Sequence, residues 1–302
     1  MTRHESAAAE RDALLGLFFA LVAAVGFSAK AILVKLAYRE GVDAVTLLAL
    51  RMAFSVPFFA AAIWWTRRQA PEPIGRRDLG LILLLGLSGY YLSSYLDFLG
   101  LQYISAGLER LILFLYPTMT VLMSAALLRH RIGRRVWMAM GLSYAGIVLV
   151  FLHDLGAVRG NLALGAALVF ASTLSYSLYL VGAGHAIGRI GATRFTAYAM
   201  MVASAASLLQ FAATRPLAAL DLSARAFALA AGMALFSTVM PVFLLSFAIR
   251  RIGSGKASLI GSIGPVSTIF LAWIFLQESV SLLQIAGSAL VLGGVLLIGR
   301  SR

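Results

Sequence analysis

The chain has 302 residues, 61% of them apolar and only 12% charged, with a mean hydropathy of +0.92 and a formal net charge of +13. A water-soluble fold of this length needs far more polar surface, so the solvent it implies is largely lipid. The absence of cysteine excludes disulfides, thiolate metal sites and thiol nucleophiles. Four scattered histidines (His4, His130, His153, His185) show no ligand spacing, so neither a metal nor a cofactor is expected.

Residues 1–13, MTRHESAAAERDA, read as a polar, frayed cytoplasmic N-terminus. Ten apolar segments follow, at 14–36, 44–65, 79–98, 105–128, 136–152, 161–181, 193–213, 225–248, 255–276 and 281–299. Most reach the ~20 residues a helix needs to cross a ~30 Å hydrocarbon core. The weakest are 136–152, which is short, and 193–213, which is rich in Ser, Thr and Ala. The runs are continuous rather than alternating, and backbone groups in lipid must be satisfied internally, so they read as helices and not barrel strands. Acidic Glu5, Glu10 and Asp12 ahead of the first segment argue against a cleaved signal peptide. The expected fold is therefore an all-α integral membrane protein with ten transmembrane helices.

The basic residues sit in short clusters between the apolar runs. No basic stripe interleaves with aromatics, so nucleic acid is not an expected partner. With the N-terminus inside, cytoplasmic segments carry seventeen Lys and Arg and outer loops carry five (Arg39, Arg110, Arg159, Arg215, Arg225). That asymmetry across short loops predicts a multi-pass membrane protein with both termini cytoplasmic.

The chain also repeats itself. Residues 96–117, LDFLGLQYISAGLERLILFLYP, return in pattern at 244–265, LLSFAIRRIGSGKASLIGSIGP, where a spacing of 148 carries Ile104 to Ile252, Gly107 to Gly255 and Pro117 to Pro265. Gly41-x-x-x-x-Thr46 matches Gly191-x-x-x-x-Thr196, and the small-residue ladder Gly16, Ala20, Ala24, Ser28 is matched to Ala163, Ala167, Ala171, Ser175. Small residues four apart let helix backbones approach closely in lipid. Two units, 14–152 and 161–299, each hold five segments, so the second enters the membrane from the opposite side. Inverted repeats place a carrier's substrate at their interface. Pro117 and Pro265 each remove a helical hydrogen bond and mark candidate hinges.

Charge inside the apolar runs is costly, about 2.5–3.5 kcal/mol per group at the helix centre. Lys30 lies sixteen residues into the first segment, ~24 Å along a helix. Arg51 lies in the second, Asp97 ends the third, and Glu109 and Arg110 begin the fourth, the last three at the outer face. Lys30 therefore either contacts substrate in a hydrated cavity or pairs with Asp97 or Glu109 to fix packing. Lys35 reads as snorkelling outward. No carboxylate falls in the middle of the first four segments, as an organic-cation exporter would want. Cations outnumber carboxylates in this band, which suits a carboxylate-bearing or zwitterionic substrate. Tyr91 and Tyr95, four apart, and Tyr176 and Tyr179, three apart, each share a helix face. With Phe27 they complete the expected lining of a substrate site. Gly253-Ser-Gly-Lys256 is no phosphate loop, since Arg250 stands at the first glycine's place. No nucleophile–base pair or paired catalytic carboxylates appear, and enzymatic activity is not expected.

Ten segments in two fives, with ISAGLERLILFLYP followed by Gly141 and Gly146, and IGSGKASLIGSIGP followed by Gln284 and Gly287, resemble the drug/metabolite transporter superfamily, in particular its EamA-type ten-helix exporters. Arg51 in LALRMAF resembles an arginine of their second helix, and Glu278 in FLQES a glutamate after their ninth. His130 stands where the first repeat would have its glutamate, and the Glu109-Arg110 pair replaces small residues. The resemblance implies export of small metabolites, with amino acids as the expected class and the aromatic-amino-acid branch as the nearest within it. A monomer suffices for that role. Multidrug or organic-cation export and a membrane scaffold or sensor remain the alternatives.

Overall fold

A computed structural model describes residues 3–69, 74–128, 133–157, 161–261 and 263–299. All regular structure among them is helical. The first unit contains α1 (Arg3–Arg39), α2 (Ala44–Gln69), α3 (Arg76–Leu85) running through a π-helical stretch (Gly86–Leu92) into α4 (Ser93–Gly100), then α5 (Ala106–Leu113), α6 (Tyr116–Leu128) and α7 (Arg134–Ala157). The second contains α8 (Leu162–Ile190), α9 (Ala192–Thr214), a 3-10 turn (Leu217–Leu220) and α10 (Ala224–Ala234). A π-helical stretch (Leu235–Val239) joins α10 to α11 (Met240–Gly261), followed by α12 (Gly264–Leu271), a π-helical stretch (Ala272–Leu276) and α13 (Leu282–Gly299).

Each of the ten apolar segments falls on helix. Seven helices are long and apolar enough to cross a membrane, and Trp137–Leu152, Gly264–Leu276 and Leu282–Gly294 are shorter apolar helices. The Ser/Thr/Ala-rich segment, expected to be weak, is among these seven as Ala192–Thr214. The N-terminal residues expected to fray are helical from Arg3, in keeping with their alanine content. Large apolar side chains stand exposed all round, among them Phe58, Leu84, Trp137, Leu209, Phe270 and Leu282. In lipid that surface needs no cover.

Two boundaries differ from the sequence reading. The loop expected between 248 and 255 is helical, because α11 continues to Gly261 along α1. A glycine costs a helix only ~1 kcal/mol, and packing outweighs it. The interruption falls later, between Gly261 and Gly264, and in the first unit between Leu113 and Tyr116. The two breaks are 148 residues apart. Pro117 and Pro265 occupy the first turn of the helix that resumes. There the missing N–H would have had no intrahelical partner, so each proline starts a half-helix and does not kink a continuous one.

The repeat is legible in other local features. Gly41 and Gly191 both have positive φ, 81° and 87°, where the first helix of each unit turns into the second. Only glycine takes that conformation without strain. The π-helical stretches beginning at Gly86 and Leu235 lie 149 apart in the third helix of each unit. Packing between units is reciprocal: α7 lies on α13, α2 on α9, α1 on α10, α11 and α12, and α8 on α4, α5 and α6. At the α7–α13 crossing Gly146 and Gly287 each face the other's carbonyl, so a Cβ on either would clash.

The small-residue ladders need one correction. Gly16, Ala20, Ala24 and Ser28 are buried, with Gly16 against Ile252. In α8, however, Ala163 and Ala167 are exposed. The buried counterpart is Gly165, Val169, Thr173, Ser177, offset by 149. Hydroxyl bonding explains the register. Ser28 donates to the Gly264 carbonyl (3.0 Å), while Thr173 and Ser177 donate to those of Ile112 and Tyr116 (both 3.3 Å). These carbonyls beside the breaks gain hydroxyl contacts in addition to any intrahelical donors, such as the Leu115 N–H that the Ile112 carbonyl already accepts (3.1 Å). Each unit's first helix supplies these hydroxyls to the other unit's break.

Candidate functional site

The charged side chains named from the sequence converge. α4 ends at Gly100 and α5 starts at Ala106, so the short turn between them sets Asp97 and Glu109 side by side. The turn is held by two caps on α5: Ser105 Oγ accepts from the Leu108 N–H (3.0 Å), and Glu278 Oε1 accepts from the Ala106 N–H (3.2 Å). Lys30 reaches across from α1, its Nζ 2.5 Å from Asp97 Oδ2 and 3.2 Å from Glu109 Oε1. Asp97 is 2% exposed and Glu109 0%, whereas Lys30 keeps 19%. The sequence reading set both carboxylates at the outer face. The structure adds that both are buried within the protein, where α4 and α5 pack on α8 and α5 on α1.

Arg51 of α2 is also buried, at 5% exposure, its guanidinium over the Phe98 ring (5.2 Å) and 3.4 Å from Ser94 Oγ. Its Nε and Nη1 have no hydrogen-bond partner among the described residues. Arg110 turns the other way from Glu109, toward the second unit's break, where a Cβ on Gly264 would lie 2.6 Å from Nη2. The helix breaks and the charge cluster are thus joined through α5.

The aromatic pairs form as faces but do not meet. Tyr91 and Tyr95 stack with ring centres 6.3 Å apart, and Tyr176 and Tyr179 stack at 5.6 Å. The second pair belongs to a larger buried group that the sequence reading missed: Tyr90 meets Tyr179 edge-on, with their hydroxyls 2.9 Å apart, Tyr116 meets Tyr176, and Phe195 stacks on Tyr179. Tyr90 was overlooked because its neighbour Tyr91 fits the i, i+4 pattern. The π-helical stretch turns Tyr90 toward α8, and Gly89 clears the way, since a Cβ there would enter the Tyr179 ring. Phe27 is half-buried, one turn from Lys30. A cavity of about 460 Å³ opens at the Gly41 end, lined by residues that include Lys35, Tyr38, Gln102 and Glu278. Among the named site residues only Glu278 lines it. His130 lies outside the described residues.

The turn between α1 and α2 is tied to the second unit. Asp43 caps α2, accepting from the N–H groups of Val45 (3.0 Å) and Thr46 (3.4 Å) and from the Thr46 hydroxyl (2.5 Å), and it pairs with Arg215 (3.0 Å). Glu40 pairs with Arg225 (3.3 Å). Burial alone would raise the Asp43 carboxyl, but the bonds from Thr46, Arg215 and Val45 outweigh it and hold the pKa below the usual range. A depressed native pKa contributes stability that is present above the unfolded value of about 3.9 and lost as pH falls through the native one. Asp43→Asn should therefore be less stable than the wild type at neutral pH, with the gap closing only below about pH 4. Thermal unfolding of detergent-solubilised protein across pH checks this; a gap already closed by pH 6 would contradict it.

Comparison with known proteins agrees with this arrangement. The EamA-like transporter family model matches twice, at residues 14–152 and 163–300. The chain is 33% identical to the uncharacterized transporter YcbK of Bacillus subtilis, over 98% of this chain and 95% of that protein. It is 25% identical to the uncharacterized transporter sll1319 of Synechocystis, over 94% and 93% respectively. A solved crystal structure covers 94% of this chain and 96% of its own with a TM-score of 0.64 at 17% identity, a likeness of fold. With both units matched, the chain belongs to the EamA-like transporter family.

Proposed function

We propose that this protein is a secondary transporter that exports amino acids or similar small zwitterionic metabolites across a bacterial inner membrane by alternating access. In this reading ten spans form two inverted five-helix repeats with both termini cytoplasmic, and one subunit suffices. The observation that carries it is the reciprocal contact each unit's first helix makes with the other unit's helix break. Ser28 and Ser177, 149 apart, bond the carbonyls of Gly264 and Tyr116, 148 apart. Discontinuous helices related by a repeat, each held by the other half, are the arrangement in which two halves rock about a central site. Inversion is supported by direction. α1 ends beside the 215–225 segment through Glu40–Arg225, whereas α8 ends beside Asp78 through Arg189 (2.9 Å), at the far end of α2. Pro117 and Pro265 then stand at hinges.

The substrate class follows from charge and surface. Lys30, Arg51 and Arg110 supply cations near the breaks, and Arg51 and Arg110 each retain a buried nitrogen with no acceptor among the described residues. A substrate carboxylate satisfies such donors. Phe27, Tyr91, Tyr95, Tyr176 and Tyr179 supply apolar surface, and Glu109 and Asp97 face a substrate ammonium. Organic-cation export is the second reading, favoured by the two buried carboxyl groups. Counterflow into proteoliposomes decides. Labelled amino acids should exchange, nucleosides and organic cations should not, and Tyr91→Ala should cut the amino-acid rate several-fold. Exchange of organic cations alone would replace this reading with the second, and no exchange of any solute would favour a scaffold or sensor.

A further inference from the structure

The Lys30 cluster holds more acid than its hydrogen bonds can accommodate. Of the four oxygens of Asp97 and Glu109, only Asp97 Oδ2 accepts a hydrogen bond; Asp97 Oδ1 and both Glu109 oxygens have no donor among the described residues. Glu109 Oε1 is near the ammonium at 3.2 Å but is not aligned for a bond. Both carboxyl groups sit on the same ammonium, Asp97 Oδ2 at 2.5 Å and Glu109 Oε1 at 3.2 Å, which leaves these two oxygens at most about 5.7 Å apart. Two carboxylates held this close, with no water access of their own, cannot both stay ionised cheaply. A proton between them removes one charge and turns an unsatisfied acceptor into a donor.

The surroundings leave that need in place. On α4, α5 and the helices packed on them, the described titratable and charged side chains include Lys30, Lys35, Tyr38 and Arg39 of α1, Arg51 of α2, Tyr90 and Tyr91 of the π-helical stretch, Tyr95 of α4, Arg110 of α5, Tyr144 of α7, and Tyr176 and Tyr179 of α8; α12 and α13 contain none. Tyr38 donates to the Phe98 carbonyl (2.6 Å), Arg51 stacks on Phe98, and Arg110 points at Gly264. None of them donates a hydrogen bond to Glu109. Lys30, one-fifth exposed beside two sealed carboxyls, is the group through which water can reach the pair.

We propose that Asp97 and Glu109 form a proton-binding pair, holding one proton between them beside Lys30 and releasing it as the protein changes the side to which it opens. The assignment rests on the transporter reading and makes the protein a proton antiporter. One proton taken up outside removes one of the pair's two charges, so that the cluster with Lys30 is neutral, and its release inside leaves two carboxylates beside Lys30.

The test is infrared spectroscopy of the full-length protein in lipid, titrated with pH, followed by proton flux in proteoliposomes. Wild-type protein should show the carbonyl band of a neutral carboxylic acid near neutral pH that fades as pH rises. Glu109→Gln should lack it. Should that variant fold poorly, Asp97→Asn serves, since no proton can then be shared between two carboxyls, and the band should change in frequency and in the pH at which it fades. In liposomes, substrate added to one side should move protons the other way in the wild type, and at least tenfold less in either variant. A wild-type spectrum without the band, or the same band in both variants, overturns the pair. Counterflow that fails while the band titrates as described overturns the substrate reading instead.

Discussion

Lys30→Met should destabilise the protein by about 3–5 kcal/mol, the range for removing one partner of a buried ion pair. Methionine keeps the length of the side chain, so packing against α4 and α5 is largely retained, and the loss is that of charge. Asp97 would then be 2% exposed with no counter-ion at 2.5 Å, and Glu109 would be fully buried beside it. Unfolding in detergent should show the loss at neutral pH and a smaller one at acid pH, where protons replace the ammonium. The double variant Lys30→Met/Asp97→Asn should recover at least half of the loss, because an unpaired buried charge is what does the damage. Equal stability of Lys30→Met and wild type at neutral pH would remove the pair from any structural role. Transport by the rescued protein separates the two roles left open by the sequence: wild-type counterflow in the double variant would make Lys30 a packing residue only. Lost counterflow in a stable protein would place it in the substrate path.

What the sequence made legible follows from which forces act locally. Lipid solvation acts on every exposed side chain, so the ten apolar segments could be recognised from hydropathy, including the modest one that became α9, although not every boundary could. Proline acts on its own backbone, so the breaks at Pro117 and Pro265 were visible, although their form as half-helix starts depends on where the preceding helix ends. The continuation of α11 through Arg250, Arg251 and two glycines was not visible, because it depends on α1 lying alongside. The register of the α8 ladder was misjudged by two residues for a similar reason. Alanine-rich faces look alike in sequence, and what marks Gly165 to Ser177 as the packed face is the contact of Thr173 and Ser177 with carbonyls on α5 and α6. The charge cluster was half legible. Lys30, Asp97 and Glu109 were identifiable as a costly group that needed partners, but their depth was set by the α4–α5 turn, and the oxygens left without donors emerge only in three dimensions. The Tyr90–Tyr179 contact depends on a π-helical turn that no spacing rule anticipates.

Single cysteines at positions 68 and 221 should be labelled from opposite sides of the membrane, Arg68→Cys only from the cytoplasm and Asp221→Cys only from outside. The chain contains no cysteine of its own, so the background is nil. Two independent lines converge on this result. Counting basic residues puts seventeen on one side and five on the other. In the structure, Arg67 donates to the Tyr198 hydroxyl (2.8 Å) and Arg189 pairs with Asp78, which gathers 67–78 and 189–198 at one end. Arg215–Asp43 and Arg225–Glu40 gather 40–43 and 215–225 at the other. α2, 26 residues long, separates the two ends by ~39 Å at 1.5 Å per residue, enough to cross the bilayer. These contacts put the ends of α1 and α8 at opposite ends of α2, the placement that the proposed inversion calls for. Labelling of both cysteines from the same side would break the link between charge bias and repeat, and the alternating-access reading with it. Opposite sides with the polarity reversed would keep the inversion and overturn only the cytoplasmic placement of the termini, turning the proposed direction of proton and substrate movement around.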